Sequence, residues 1–321
     1  MDAAMTTAMT TDRASSSMHW SLVVAALGSI GLLAGEAAGQ TMLRETSGPY
    51  PVVMEMDPSL PDHTVYRPAD LSRVDDALPV VSFGNGGCIN VGSLYQPFLG
   101  ELASHGYLVV ATGPIGPDAA SEPAQPDRPR PAQSKTESLV QAIDWAIAEN
   151  RRPGSRYRGR IDSERIAVAG HSCGGLQAIA VGADPRIDTV LVFNSGIIRG
   201  GIPTPDGGVR QPAGYLPATE ADLQALHTPM LYVIGGETDQ AHRGAEGDFE
   251  QIRGVPVFNA NLPVGHGGTW REPQGGRMGG VAIAWLDWQL KNDAEAGALF
   301  NGEPCGLCRE PDWLVKRKSW R

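Results

Sequence analysis

The stretch that decides the fold reads RIAVAGHSCGGL and runs from Arg165 to Leu176. Its first part, Arg165 to Ala169, is a compact apolar run of the kind that forms a strand buried on both faces. A helix is predicted to begin at Gly174, so a sharp turn must join the two. The turn has the pattern G-x-S-x-G, in which glycines allow two chain segments to approach closely and the serine adopts a strained backbone. The pattern therefore predicts that the Ser172 hydroxyl projects from the carboxyl edge of a sheet, at the positive end of a helix.

Strand-like and helical segments alternate on both sides of this turn. The predicted strands are 51–56 and 64–67 (an antiparallel pair), 78–83, 107–112, 165–169, 189–193, 230–234 and 255–260. The predicted helices are 94–104, 137–149, one that begins at Gly174, and 278–291. Residues 113–133 are rich in proline and are predicted to form a long surface loop. The alternation predicts an α/β fold, with a mostly parallel central sheet and helices on both faces.

The composition and charge of the chain exclude further classes of protein. Of the 321 residues, 41% are hydrophobic and 19% charged, which excludes a disordered chain. The formal net charge is −10 and the basic residues form no stripe, which excludes nucleic acid as a partner. No repeat or linker divides the chain. We therefore predict one α/β domain over residues 40–300, followed by a C-terminal tail over 301–321.

The N-terminal region has the pattern of a targeting segment. The run SLVVAALGSIGLLAG at 21–35 is too short for a membrane-spanning helix, which needs about 20 apolar residues, and small residues follow at 37–39. We predict a cleaved signal peptide over 1–39, which makes the protein secreted or periplasmic and leaves no stable membrane span. The alternative is an anchor that stays attached.

Four cysteines are present: Cys88, Cys173, Cys305 and Cys308. The pair at 305 and 308 follows a helical segment, unlike a redox motif, and a zinc site would need a second close pair. In an oxidising compartment we expect these two either to bridge each other or to tie the tail to the domain. A reduced, structural pair is the alternative, and the connectivity of the four stays open.

A serine hydroxyl is a poor nucleophile, so an orienting acid and a base are expected after it in the chain. The predicted strand 230–234 ends in Gly-Gly-Glu-Thr-Asp. An acid just past a buried strand lies at the same sheet edge as the serine. We prefer Asp239 for this role, with Glu237 as its competitor and Asp248 as a more distant alternative.

The expected base is His266. It lies between two glycines in a loop that follows the predicted strand 255–260, which is the setting of a mobile, exposed general base. The other six histidines have structural interpretations. We therefore predict Ser172, Asp239 and His266 as the catalytic residues.

Negative charge that develops on a carbonyl oxygen needs two preorganised donors. One is the backbone N–H of Cys173, the residue after the nucleophile. The other is expected in the loop Gly84-Asn85-Gly86-Gly87, where we favour the backbone of Asn85 over that of Gly86. The alternative for this loop is an ordinary tight turn.

Together these stretches resemble the α/β-hydrolase superfamily, specifically the secreted esterases near cutinases, polyester hydrolases, dienelactone hydrolases and chlorophyllases. The segments that carry the resemblance are GNGGC at 84–88, SHGYLVV at 104–110, GHSCGG at 170–175, GGETD at 235–239 and VGHGG at 264–268. They occur in family order over about residues 50–291. One departure is Asn85, which stands where cutinase-like enzymes usually carry an aromatic residue.

The motifs and the resemblance imply hydrolysis of a small or polymeric carboxylic ester through an acyl-enzyme, with no metal or organic cofactor. Trp270, just past the base, is either a wall of the substrate pocket or ordinary packing, and residues 195–217 are a candidate cap. The same fold also permits peptide or C–C bond hydrolysis, acyl transfer to an alcohol, and polyester or cutin hydrolysis. A non-catalytic binding module is the alternative from another class. The oligomeric state is not predicted.

Overall fold

The structure is a computed structural model that describes residues 40–116, 132–203, 208–210 and 217–320. These residues fall within one compact unit that runs from Glu36 to Arg321. The predicted signal peptide, 1–39, lies outside the described residues. Among those that are described, no helix combines the length and the apolar character needed to cross a membrane.

The centre of the fold is a ten-stranded sheet. Its strands are β1 Gln40–Leu43, β2 Val52–Glu55, β3 His63–Pro68, β4 Leu78–Gly84, β5 Leu108–Thr112, β6 Ile161–His171, β7 Thr189–Phe193, β10 Met230–Ile234, β11 Val257–Asn261 and β12 Leu314–Lys318. Two further strands, β8 Ile202–Pro203 and β9 Val209–Arg210, pair with each other.

The order across the sheet is β1-β2-β3-β5-β4-β6-β7-β10-β11-β12. The strands from β5 to β11 in this order run parallel, while β1, β2 and β3 at one edge and β12 at the other are antiparallel to their neighbours. The parallel strands β4, β5, β7, β10 and β11 are buried along their whole length, and β6 is buried from Ile166 to His171, as expected for a parallel sheet covered on both faces. The predicted fold class and the predicted antiparallel pair are confirmed.

Helices cover both faces of this sheet. They are α1 Gln96–Ser104, α2 Glu137–Arg151, α3 Cys173–Val181, α4 Glu220–Ala225, α5 His242–Gln251, α6 Gly276–Lys291 and α7 Ala294–Gly297. Residues of α2 to α5 belong to one hydrophobic cluster and residues of α1 and α6 to the other. Strand β4 contributes side chains to both clusters, because Val80 faces one and Val81 and Phe83 face the other. Each helix predicted from apolar spacing is present.

The edge strands β1 and β12 had no counterpart in the sequence analysis. Strand β12, with the sequence LVKRK, is largely exposed and alternates only weakly. It forms because β11 would otherwise leave a row of unpaired backbone groups at the sheet edge. The C-terminal segment thus contributes a strand, and its two cysteines, Cys305 and Cys308, form a disulfide with each other.

Candidate active site

The serine predicted as nucleophile lies in a tight turn between β6 and α3. Strand β6 ends at His171 and α3 begins at Cys173, so Ser172 alone connects them, with φ 52° and ψ −117°. A Cβ atom on Gly170 would lie 2.2 Å from the carbonyl oxygen of Gly174, which no side chain could tolerate. The two glycines therefore permit the turn that holds Ser172 in its strained conformation.

Three side chains from distant parts of the chain meet at this turn. The Oγ atom of Ser172 lies 3.0 Å from Nε2 of His266. The Nδ1 atom of the same imidazole lies 2.7 Å from Oδ1 of Asp239. The carboxylate requires a proton on Nδ1, so Nε2 presents its lone pair to the serine hydroxyl. This is the arrangement in which an imidazole can remove a proton from a serine.

The two candidate acids on this loop, Asp239 and Glu237, differ in burial. Asp239 is 3% exposed, whereas Glu237 points into solvent on the same loop. Burial opposes ionisation of Asp239, but hydrogen bonds from His266 and from the backbone N–H groups of Ala241 and Gly235 outweigh it and lower the pKa of the carboxyl. The site therefore retains a carboxylate beside the imidazole.

Asp248, the third candidate acid, belongs to a different cluster. Its carboxylate accepts hydrogen bonds from the Ile197 N–H at 3.0 Å, from Arg199 at 2.8 Å and from the Tyr232 hydroxyl at 3.1 Å. These contacts attach the start of the candidate cap, 195–217, to α5. Residues 204–207 and 211–216 of that segment lie outside the described residues.

The loop proposed for the oxyanion donors lies beside the start of α3. A Cβ atom on Gly174 would be 2.7 Å from the backbone nitrogen of Asn85, so this nitrogen lies against the residue that follows Cys173. The Cys173 N–H belongs to the first turn of α3, where backbone donors have no acceptor within the helix. The Asn85 side chain is buried and donates to the Thr112 carbonyl at 2.7 Å.

Gly86 occupies a different position in the loop. A Cβ atom on Gly86 would lie 2.6 Å from the Tyr95 hydroxyl oxygen and 2.7 Å from Nδ1 of His171. Gly86 therefore packs against these two buried side chains. This favours Asn85 over Gly86 as the residue that faces a substrate.

Comparison with protein families points to the same group as the motifs. A family model described as PET hydrolase-like matches residues 34–192, a stretch that contains Ser172 and the loop at 84–88 but ends before Asp239 and His266. The fold and this match agree. The chain has the α/β-hydrolase fold.

Two proteins of Thermobifida alba are similar to part of this chain. Cutinase est1 is 31% identical over 142 residues, which is 42% of this chain and 41% of that protein. Cutinase est2 is 30% identical over 142 residues, with the same shares. The chain thus spans about two fifths of the length of the curated relatives it matches.

A buried asparagine that the sequence analysis missed supports the candidate acid, Asp239. The Nδ2 atom of Asn194 donates to Oδ2 of Asp239 at 2.8 Å and to the Gly265 carbonyl at 3.1 Å. Asn194 directly follows β7, and its φ of 46° turns its side chain towards the site. A polar residue just past a buried strand was the available signal, the same one that selected Asp239.

Trp270 holds this asparagine in place. Its Nε1–H donates to Oδ1 of Asn194 at 2.7 Å, and its ring lies 4.2 Å from that of Phe193. Only 1% of the residue is exposed. In this structure Trp270 packs in the core beneath the site and offers almost no surface to a substrate, unlike the pocket wall that was one of its two predicted roles.

His171, the residue before the serine, connects two loops of the site. Its Nε2 lies 2.9 Å from the carbonyl oxygen of His266, and its Nδ1 lies 2.8 Å from the Tyr95 hydroxyl. Because a carbonyl only accepts, Nε2 carries the proton and Nδ1 accepts from the phenol. Burial lowers the pKa of His171 to about 4. This imidazole is therefore neutral and serves as a fixed support under the loop of His266.

The buried neutral state of His171 predicts a loss of stability in acid. Its folded pKa of about 4 lies below the ordinary 6.5, so the unfolded chain binds a proton that the folded chain does not. The stabilisation is complete above pH 6.5 and decreases as the pH falls towards 4, by up to about 3 kcal/mol.

Urea unfolding of wild type and His171→Gln at pH 7.5, 5.5 and 4.5 measures this effect. The variant should be less stable than wild type at pH 7.5, because the Tyr95 hydroxyl and the His266 carbonyl lose their shared partner. The difference in the free energy of unfolding between the two proteins should become smaller at pH 5.5 and 4.5. A difference that stays constant over the three pH values would contradict the assignment of His171 as neutral and buried.

No metal site accompanies these residues in the described part of the chain. Within residues 40–116, 132–203, 208–210 and 217–320, no group of three or more His, Cys, Asp or Glu side chains is arranged to hold a metal ion.

Proposed function

We propose that this protein is an exported serine hydrolase that cleaves carboxylic esters through an acyl-enzyme intermediate. The observation that carries the proposal is the continuous hydrogen-bonded series from Ser172 through His266 to Asp239 at the carboxyl edge of the sheet. The PET hydrolase-like match and the two cutinase relatives support the ester as the substrate class.

In the first half of the reaction, the Oγ atom of Ser172 attacks the acyl carbon while Nε2 of His266 accepts its proton. The imidazolium then gives that proton to the leaving alkoxide, and an acyl-enzyme remains. A water, deprotonated by the same nitrogen, releases the acid and restores the serine. Asp239 keeps the imidazole in the tautomer that both steps need, and the cation formed in each is stabilised by its carboxylate.

The backbone N–H groups of Cys173 and Asn85 stabilise the oxyanion of both tetrahedral intermediates. Two fixed donors are effective here because they need no reorganisation as the charge develops. The Asn85 side chain is turned inward to Thr112, so it provides hydrogen bonds to the protein rather than a surface for the substrate.

This inward asparagine favours small soluble esters over polymers. An aromatic residue at this position could lie against the aromatic or alkyl units of a polyester, whereas a buried amide cannot. Cutin or polyester hydrolysis is the second candidate, supported by the names of the matched relatives and family.

A substrate panel separates these candidates. We expect the purified protein to hydrolyse chromogenic esters of short acyl chains, to leave peptide anilides intact, and to release little soluble product from a polyester film. A fluorophosphonate probe should label one serine, located by peptide mass spectrometry at Ser172. Absence of both labelling and ester hydrolysis would contradict the proposal, and film hydrolysis comparable to that of soluble esters would favour the polymer.

Export is part of the proposal. Among the described residues, the four cysteines form two disulfides, Cys88–Cys173 and Cys305–Cys308. Such bonds persist in oxidising compartments. The predicted signal peptide over 1–39 supplies the route, and N-terminal sequencing of the secreted protein would test for cleavage near residue 39.

A further inference from the structure

The Cys88–Cys173 disulfide joins the two segments that supply the oxyanion donors, and the mechanism above gives it no role. Cys173 carries one donor on its own backbone, and Cys88 lies in the same tight turn as Asn85, which carries the other. We propose that this disulfide positions the oxyanion hole, so that the rate of the chemical step depends on the oxidation state of the pair. The inference rests on the ester hydrolase function proposed above.

Backbone contacts already join the end of β4 to the start of α3. A Cβ atom on Gly174 would lie 2.1 Å from the carbonyl carbon and oxygen of Gly84, so the end of β4 and the start of α3 are already against each other there. These contacts lie at Gly84 and Asn85, the end of the donor turn that adjoins β4. The disulfide adds a covalent connection at Cys88, the other end of the turn, and thereby restricts the relative orientation of the two N–H groups.

The turn itself has a backbone conformation that a free cysteine disfavours. Gly87 and Cys88 have φ values of 64° and 51°, in the left-handed region. The Cys88 N–H donates to the Asn85 carbonyl at 3.1 Å, so this conformation also orients the Asn85 peptide. If the bridge is broken, relaxation of Cys88 towards negative φ moves the donor at Asn85.

A second set of contacts keeps the loop folded without the bridge. The Ser134 N–H donates to the Cys88 carbonyl at 2.7 Å, and the Ser134 carbonyl accepts from Gln177 of α3 at 3.1 Å. Breaking the disulfide should therefore displace the donors slightly rather than unfold the loop. Even a slight displacement of the donors should lower the rate, because oxyanion donors act at about 2.7–3.1 Å from the charged oxygen.

A dithiol reductant can carry out the change. Cys88 is buried, but Cys173 is partly exposed and offers a sulfur to attack. The reductant's thiolate breaks the S–S bond through a mixed disulfide, and its second thiol displaces the remaining cysteine. Two protein thiols form and the reductant becomes a cyclic disulfide, so two electrons pass to the protein.

The test compares two variants that each lack one disulfide. Cys88→Ala/Cys173→Ala removes the bridge at the site, and Cys305→Ala/Cys308→Ala is the matched control that removes the C-terminal one. On a soluble chromogenic ester the first should lose about 10- to 100-fold in kcat with KM within about threefold of wild type, while the control stays within about twofold in both. Affinity for a boronic acid that mimics the tetrahedral intermediate should fall together with kcat.

A third variant separates the bridge from the backbone conformation of the turn. Glycine adopts positive φ without strain, so Cys88→Gly/Cys173→Ala retains that conformation and lacks only the covalent link. We expect its kcat to recover only in part, because the two donor segments still lack the covalent link. Recovery of the wild-type kcat in this variant would overturn the proposal.

If the bridge variants do not fold, the control variant provides the measurement, because Cys88–Cys173 is its remaining disulfide. Dithiothreitol should lower its kcat in step with the appearance of two alkylatable thiols, at unchanged near-ultraviolet circular dichroism, and reoxidation should restore it. Full activity in the reduced, folded protein would overturn the inference alone. Oxidised wild type that neither hydrolyses esters nor reacts with the fluorophosphonate would overturn the proposed function as well.

Discussion

Replacing Ser172 by alanine is expected to lower kcat for ester hydrolysis by at least about 10⁴-fold and to abolish fluorophosphonate labelling. In the proposed mechanism alanine removes the only protein atom that bonds to the acyl carbon, so no acyl-enzyme can form. Catalysis that remains would come from the oxyanion donors and from substrate binding. Initial rates on a chromogenic ester, with labelling followed by gel fluorescence, provide the measurement.

The control for this substitution is Ser72→Ala, at an exposed serine that bonds only to Asp70 in the described structure. It should retain wild-type rates and wild-type labelling. Both proteins should unfold at similar urea concentrations, since the Ser172 hydroxyl supports no packing. Labelling that persists in folded Ser172→Ala would mean that another residue is the nucleophile.

Asp239→Asn is expected to lower kcat by about 10⁴-fold with a much smaller change in KM. Asparagine matches aspartate in size but can offer its NH₂ group to Nδ1 of His266. The imidazole would then carry its proton on Nε2, where it can no longer accept one from Ser172. Because the volume of the site is unchanged, the loss of kcat measures the effect of the change in imidazole tautomer.

Glu237→Gln is the matched control for the acid. It makes the same chemical change two residues away on the same loop, at a carboxylate that faces solvent. Its kcat should stay within about twofold of wild type, as expected for an exposed charge. If Glu237→Gln were the more damaging substitution, the acid would have to be reassigned in spite of the 2.7 Å contact between Asp239 and His266.

The elements that the sequence predicted are those with a strong local signal. Apolar runs such as 78–83 and 230–234 have few alternatives to a buried strand, and the helix at 137–151 has apolar residues at helical spacing. Strand β12 lacks such a signal, because pairing with β11 stabilises it rather than its own composition. A local sequence pattern predicts a strand well where the strand's own residues determine its burial. It predicts a strand poorly where a distant segment of the chain completes the edge of the sheet.

The same distinction applies to the residues of the site. The motif at 170–174 and the positions of Asp239 and His266 after strands were readable because the ends of parallel strands meet at one sheet edge. The supporting roles of Asn194, Trp270 and His171 could not be predicted in this way. Each depends on which buried polar atom lies within about 3 Å, and that is a property of packing between segments tens of residues apart.

The amino-acid sequence by itself determined the α/β class, the strained serine turn and the order of serine, acid and histidine, because these follow from periodicity and from the steric freedom of glycine. Only the tertiary structure decided that Cys88 pairs with Cys173 and that a buried carboxylate rather than its exposed neighbour meets the imidazole. The physical reason is that disulfide pairing, hydrogen bonding and desolvation depend on distances of a few ångströms between groups that the chain separates widely.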